Sequence, residues 1–227
     1  MLFLPRGNPV KENVNPARVN LPEAMEKLRG GSFTGYLRFD ADQGSGIIIF
    51  EKGRLISALY QSGLSGKRLI AYDAITRIFE MSIRGGAVLN IYRIEPELAT
   101  RIHNLLHGDC VYQGQDLGLI DIRALLATVK RTSLSGCLRI YAAQKTALIF
   151  YENGNPLGFF HDGGTRLQTT ADPSRSVARL PGAKLDLLAT RNSEEVMLAD
   201  LMASADLGPM WRKLRKSVLE ERRPLQT

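Results

Sequence analysis

Two histidines, His103 and His107, stand four residues apart in "RIHNLLHGDC". On a helix that spacing puts two imidazoles on one flank, the geometry of a two-point metal anchor. A third ligand would have to come from Asp109 or Cys110, and no Glu follows His103 as the metal-dependent hydrolase pattern requires. Leu98, Ile102 and Leu105 mark the apolar face of the same helix, and both histidines are expected off it, solvated, with no metal. "SGLSGKRL" carries the Gly-Lys pair of a phosphate-binding loop, but Gln61 and Arg68 occupy the places that need a Gly and a Ser or Thr. The expected structure there is a plain loop entering a helix, with Lys67 and Arg68 in solvent. His161 beside Asp162 reads as a strand-edge histidine rather than a general base. There is no Gly-x-Ser-x-Gly elbow, and no pair of acids is visibly held for proton transfer. The expectation is a non-enzyme with no catalytic residue, no cofactor and no metal.

The segment best suited to contact is the last one, "PMWRKLRKSVLEERR". Trp211, Leu214 and Val218 fall on one stripe of a helix, with Arg212, Lys216 and Arg223 beside it and Arg215 and Arg222 on its border. A basic amphipathic helix can lie on an anionic surface, enter a partner's groove or touch nucleic acid. It can equally dock on its own domain, its cationic stems covering apolar surface. The net charge is +7, and residues 205–227 hold six Lys and Arg against three acids. Two cysteines without metal or redox spacing, Cys110 and Cys137, suit a reducing compartment, so the cytoplasm is the expected location. The apolar start ends at Pro5-Arg6, too short for a signal peptide, and no run is long enough to span a membrane.

The elements that must carry these residues come from a repeat. "GIIIFEKGRLISALYQSG" at 46–63 returns as "ALIFYENGNPLGFFHDGG" at 147–164, an offset of 101. At that offset Ser32, Gly35, Leu37, Arg38, Ala41, Gln43, Ile48, Glu51, Gly53 and Gly63 all meet identical residues. Each copy opens with an amphipathic helix, capped by Asn20 with Glu23 in one and by Asp121 in the other. Three strands follow, at 35–40, 46–51 and 54–61, and again at 136–141, 146–152 and 155–162. Lys52-Gly53 and Asn153-Gly154 are placed for hairpin turns whose two central residues need positive φ. A helix over 66–84 then belongs to the first copy alone. The second has "TRLQTTADPSRSVARLPG", broken by Pro173 and Pro181. "GAVLNIYRI" and "GAKLDLLAT" restore the phase as strands, and helices follow at Pro96 and Ser193.

Gly35-Tyr36-Leu37 and Gly53-Arg54-Leu55-Ile56-Ser57-Ala58, with Gly136-Cys137-Leu138 in the second copy, resemble the PATAN-type domain, a bacterial signalling-associated module. Gly154-Asn155-Pro156-Leu157-Gly158-Phe159 departs from it by lacking the alanine. The resemblance implies a bacterial signalling or motility module and transfers no catalytic residue.

The fold class expected is α+β: two tandem repeats, each an antiparallel sheet packed by helices, plus a C-terminal helix. The expected division is an arm at 1–17, a first repeat at 18–108, a linker at 109–118, a degenerate second repeat at 119–206 and the basic helix at 207–227. The function expected is protein–protein interaction with an unidentified partner. Contact is expected through Trp211, Arg212, Arg215, Lys216, Arg223, Lys67 and Arg68, and through the irregular segment 165–181. Binding of nucleic acid or an anionic surface by the last helix is the alternative, and a small ligand held between the repeats the second.

Overall fold

The computed structural model describes residues 4–143, 145–170, 176–190 and 199–221. The chain is α+β and resolves into two units, each built on an antiparallel sheet.

The first unit holds β1 (Asn8–Val14), α1 (Leu21–Gly30), β2 (Gly35–Ala41), β3 (Gly44–Glu51), β4 (Arg54–Ser62), β5 (Arg68–Ile70), α2 (Ala71–Arg84) and β6 (Val88–Arg93). Its sheet runs β1-β6-β2-β3-β4-β5. The β3–β4 turn has Lys52 at φ 50° and Gly53 at φ 82°, as the hairpin chemistry demands. A Cβ on Gly53 would lie 2.5 Å from the Arg29 carbonyl oxygen, because the turn sits down on the end of α1. Gly53 N–H donates to Phe33 O at 2.8 Å and Lys52 N–H to Thr34 Oγ1 at 2.8 Å, tying hairpin to helix.

One face of this sheet is closed by helices. Leu37, Phe39, Ile48, Phe50, Ala58 and Tyr60 share a core with Leu21 and Met25 of α1 and with Ile75, Ile78 and Phe79 of α2. The end of the chain completes it: α5 (Leu201–Ser204) and α6 (Leu207–Glu221) add Met202, Leu207 and Trp211 to the same core. The Trp211 ring meets Phe79 edge-on, centroids 5.0 Å apart at 85°. Gly46 lets α2 come close, since a Cβ there would lie 2.4 Å from Ile78 Cγ1.

α3 (Pro96–Leu106) carries the chain into the second unit. There β7 (Asp109–Asp116), α4 (Ile122–Arg131), β8 (Gly136–Ala142), β9 (Lys145–Glu152), β10 (Asn155–His161) and β11 (Lys184–Ala189) form a sheet in the order β10-β9-β8-β11-β7. The hairpin device is copied: Asn153 at φ 49°, Gly154 at φ 76°, Gly154 N–H to Leu134 O at 3.0 Å and Asn153 N–H to Ser135 Oγ at 3.0 Å.

The repeat reaches further back than the sequence comparison placed it. β1 and β7 correspond, so the segments read as arm and linker each hold an edge strand. Asn13 at φ 57° and Gly114 at φ 65° put a positive φ into the two strands at the same place. Each donates its N–H into the sheet, Asn13 to Asn90 Oδ1 at 2.9 Å and Gly114 to Asp186 Oδ1 at 2.7 Å. Asn15 and Asp116 then cap matching 3-10 turns.

Other local expectations changed. Asp121 caps α4 by accepting from Ala124 N–H at 3.0 Å, but the Asn20 side chain makes no such bond and reaches Glu23 instead. The expected helix over 66–84 starts only at Ala71, because 68–70 pairs with β4 as a strand. The helix expected at Ser193 lies outside the described residues.

Candidate functional site

Across matching positions, the two units differ in what covers the helix-bearing sheet face. In the first, Leu37, Phe39, Ile48 and Phe50 are 0–1% exposed, and so are Leu21 and Met25 on α1. In the second, Leu138 and Tyr151 are buried, but Ile140, Ala147 and Ile149 are half-buried. On α4, Ile122 is half-buried and Leu126 is 37% exposed, where Leu21 and Met25 are sealed. The physical reason is the thinner cover among the described residues. α2 and α6 close the first face, whereas α4 and a short 3-10 turn at Val177–Arg179 do so in the second. Residue 147 registers this: it is alanine where its partner Gly46 has to be glycine to clear α2. The result is a partly exposed apolar patch at Ile122 and Leu126, whose first-unit counterparts Leu21 and Met25 share a core with Leu207 and Trp211 of α6.

On another flank of α4 lies a concavity of about 300 Å³, lined by Tyr112, Gln115, Ile120, Ala124, Leu125 and Thr128. Leu119, 88% exposed, projects from the turn next to it.

The residues singled out in sequence are dispersed. Trp211 is 6% exposed in the first unit's core, so it is a packing residue there and not an open contact. Arg212, Arg215 and Lys216 are exposed on the outer side of α6, and Arg223 lies outside the described residues. Lys67 and Arg68 are exposed at the far sheet edge, where 62–67 closes the β4–β5 hairpin. That segment joins two strands, which is not the strand-to-helix turn of a phosphate loop. Of the irregular segment 165–181, Gln168 pairs with Phe159 and 177–179 is the 3-10 turn, while 171–175 lies outside the described residues.

The histidines correct an expectation. His107 is half-buried, but His103 is 2% exposed and neither ring nitrogen has a hydrogen-bond partner. α3 buries Leu98, Ala99, Ile102, His103, Leu105 and Leu106, an arc of about 160° and not a narrow stripe. Burial, and secondarily the His107 ring 4.6 Å away, pushes the His103 pKa down to about 4. Among the described residues no group of three or more His, Cys, Asp or Glu is placed to hold a metal. His161 stands between Asp162 O at 3.0 Å and Gln168 Oε1 at 2.8 Å, a structural setting. Cys110 is exposed and Cys137 buried, its thiol pushed well above the ordinary range by desolvation. No helix among the described residues is long and apolar enough to cross a membrane.

No curated protein matches this chain. Among solved structures, a chain from Eubacterium rectale assigned as a DNA polymerase III beta subunit aligns at 11% identity over 85% of this chain and 68% of its own, with a TM-score of 0.14, too low to carry any argument. The PATAN-type resemblance is overturned, and with it the bacterial signalling or motility setting. The profile that does match, over residues 2–106, is that of a family described as "Uncharacterized protein conserved in archaea (DUF2226)", to which this part of the chain is similar.

Proposed function

We propose that this protein is a non-enzymatic interaction module of the cytoplasm, and that its second unit receives an amphipathic helix from a partner protein. One observation carries the reading: Ile122, Leu126 and Ile149 are partly exposed, whereas their first-unit counterparts Leu21, Met25 and Ile48 are sealed in a core that includes Leu207 and Trp211 of α6. The chain thus holds a worked example of the ligand. Helix-in-groove recognition needs an apolar channel and anchors at helical spacing, and the α6 stripe has that spacing. The two thiols without a disulfide support a reducing compartment. The rival reading, polyanion binding through α6, keeps its cations, but the apolar stripe that would enter a bilayer is used up in the core.

The test places a photo-crosslinking residue at Leu126 of the full-length protein in its native cells. The expected product is an adduct mapping to an amphipathic helical segment of another chain, lost in Ile149→Glu. Adducts confined to this chain, or to nucleic acid, would reject the reading.

A further inference from the structure

We infer that the concavity between β7 and α4 is a self-association surface that takes a second copy of this chain. It lies on another flank of α4 from the Ile122 and Leu126 patch, so the inference does not rest on the reading above.

The duplication again supplies the comparison. Lys11, Arg18, Glu23 and Lys27 of the first unit are matched by Tyr112, Leu119, Ala124 and Thr128 in the second. All four first-unit side chains are exposed, as exposed charges should be. Their counterparts are uncharged, and three of them line the hollow while the fourth stands beside it. No side chain lining the hollow carries a charge. β7 is an edge strand, exposed along nearly its whole length, with Val111 at 47% and Tyr112 at 45%. An open edge beside exposed apolar side chains is a surface that monomers usually blunt.

What fits is a surface carrying both a knob and a hole. Leu119 is the knob and the Tyr112–Thr128 hollow the hole, side by side on one face. A two-fold axis exchanges them, so that each Leu119 enters the other copy's hollow. Charge agrees with this symmetry. Asp121 caps the N-terminal end of α4, with Arg123 in its first turn, and Lys130 and Arg131 lie at its C-terminal end. Packing α4 antiparallel to its copy sets Asp121 of one against Arg131 of the other at both ends. A parallel arrangement would set the Lys130–Arg131 pair against its own copy.

The experiment is sedimentation equilibrium of the full-length protein across a concentration series. The expected result is a reversible dimer. Leu119→Asp should raise its dissociation constant roughly tenfold or more, the effect of losing a central anchor. At a concentration where the wild type is monomeric the melting temperature should stay unchanged, since Leu119 is 88% exposed. Lys130→Glu/Arg131→Glu should also weaken the dimer, and more so at low salt. A monomer at every concentration overturns the inference, and so does a dimer indifferent to Leu119→Asp. A dimer lost in Leu119→Asp but insensitive to the charge reversal overturns the antiparallel arrangement.

Discussion

His103 is a buried imidazole with nothing to hydrogen-bond, and that gives it a measurable signature. Its proton affinity is lower in the folded protein, with a pKa near 4, than in the unfolded chain, where 6.5 is ordinary. Above about pH 6.5 neither state is protonated and the group is silent. As pH falls below that, the unfolded chain takes up the proton first, and stability declines until the folded state also protonates near pH 4. Urea titrations between pH 7.5 and pH 4 should show this loss, and His103→Leu should flatten it; an unchanged slope in the variant would assign the loss to other groups. A second residue-scale test uses the buried pair of Arg139 and Asp186, 5% and 4% exposed, with Arg139 over the Tyr141 ring at 4.4 Å. The first unit has Asn90 where the second has Asp186, and its Arg38 pairs with Asp40 instead. Asp186→Asn keeps the acceptor for Gly114 but strands a buried guanidinium, at a cost of about 3–5 kcal/mol. Arg139→Leu added to it should recover much of that in a denaturation assay.

At the level of elements, α6 behaves as part of the first core. Trp211→Ala removes a ring that packs edge-on against Phe79 and should cost about 3–5 kcal/mol of unfolding free energy. Glu substitutions at Arg212, Arg215 and Lys216 should leave stability nearly untouched, since these residues face solvent. Calorimetry separates the two. The hairpins and the amphipathic helices were legible because their periodicity and their turn residues are local statements; Gly53 and Gly154 announce their own φ. β1 and β7 were not. They are exposed edges without alternation, paired through backbone, so their side chains carry little trace of the strand. Only the matching of Asn13 with Gly114 and of Asn15 with Asp116, invisible without the fold, shows them to be one element used twice. The candidate sites were hidden for a related reason. A sequence shows Ile122, Leu126 and Ile149 as core, and only the fold shows them less covered than Leu21, Met25 and Ile48.

For the molecule as a whole, duplication followed by unequal coverage is the theme. Among the described residues, the helix-bearing sheet face of the first copy is covered by α1, α2 and α6, while that of the second is covered by α4 and the 3-10 turn at Val177–Arg179. The first copy is expected to be the more stable. Hydrogen exchange should therefore find the slowest amides in β2 and β3, and faster exchange at the matching positions of β8 and β9. Uniform protection would show that the thinner cover costs the second copy nothing.

The path of the chain's two ends has a practical outcome. Leu4, 2% exposed, and Arg6, whose N–H reaches Asp162 Oδ1 at 2.7 Å and whose carbonyl accepts from Gly163 N–H at 2.7 Å, belong to the second unit. The final helix belongs to the first. Each half thus keeps hold of one end of the other, like the two parts of a clasp. Cutting the backbone between His107 and Asp109 should yield fragments that travel together through gel filtration and part only in denaturant. Anyone wishing to study one half alone would have to re-route a terminus before removing the other.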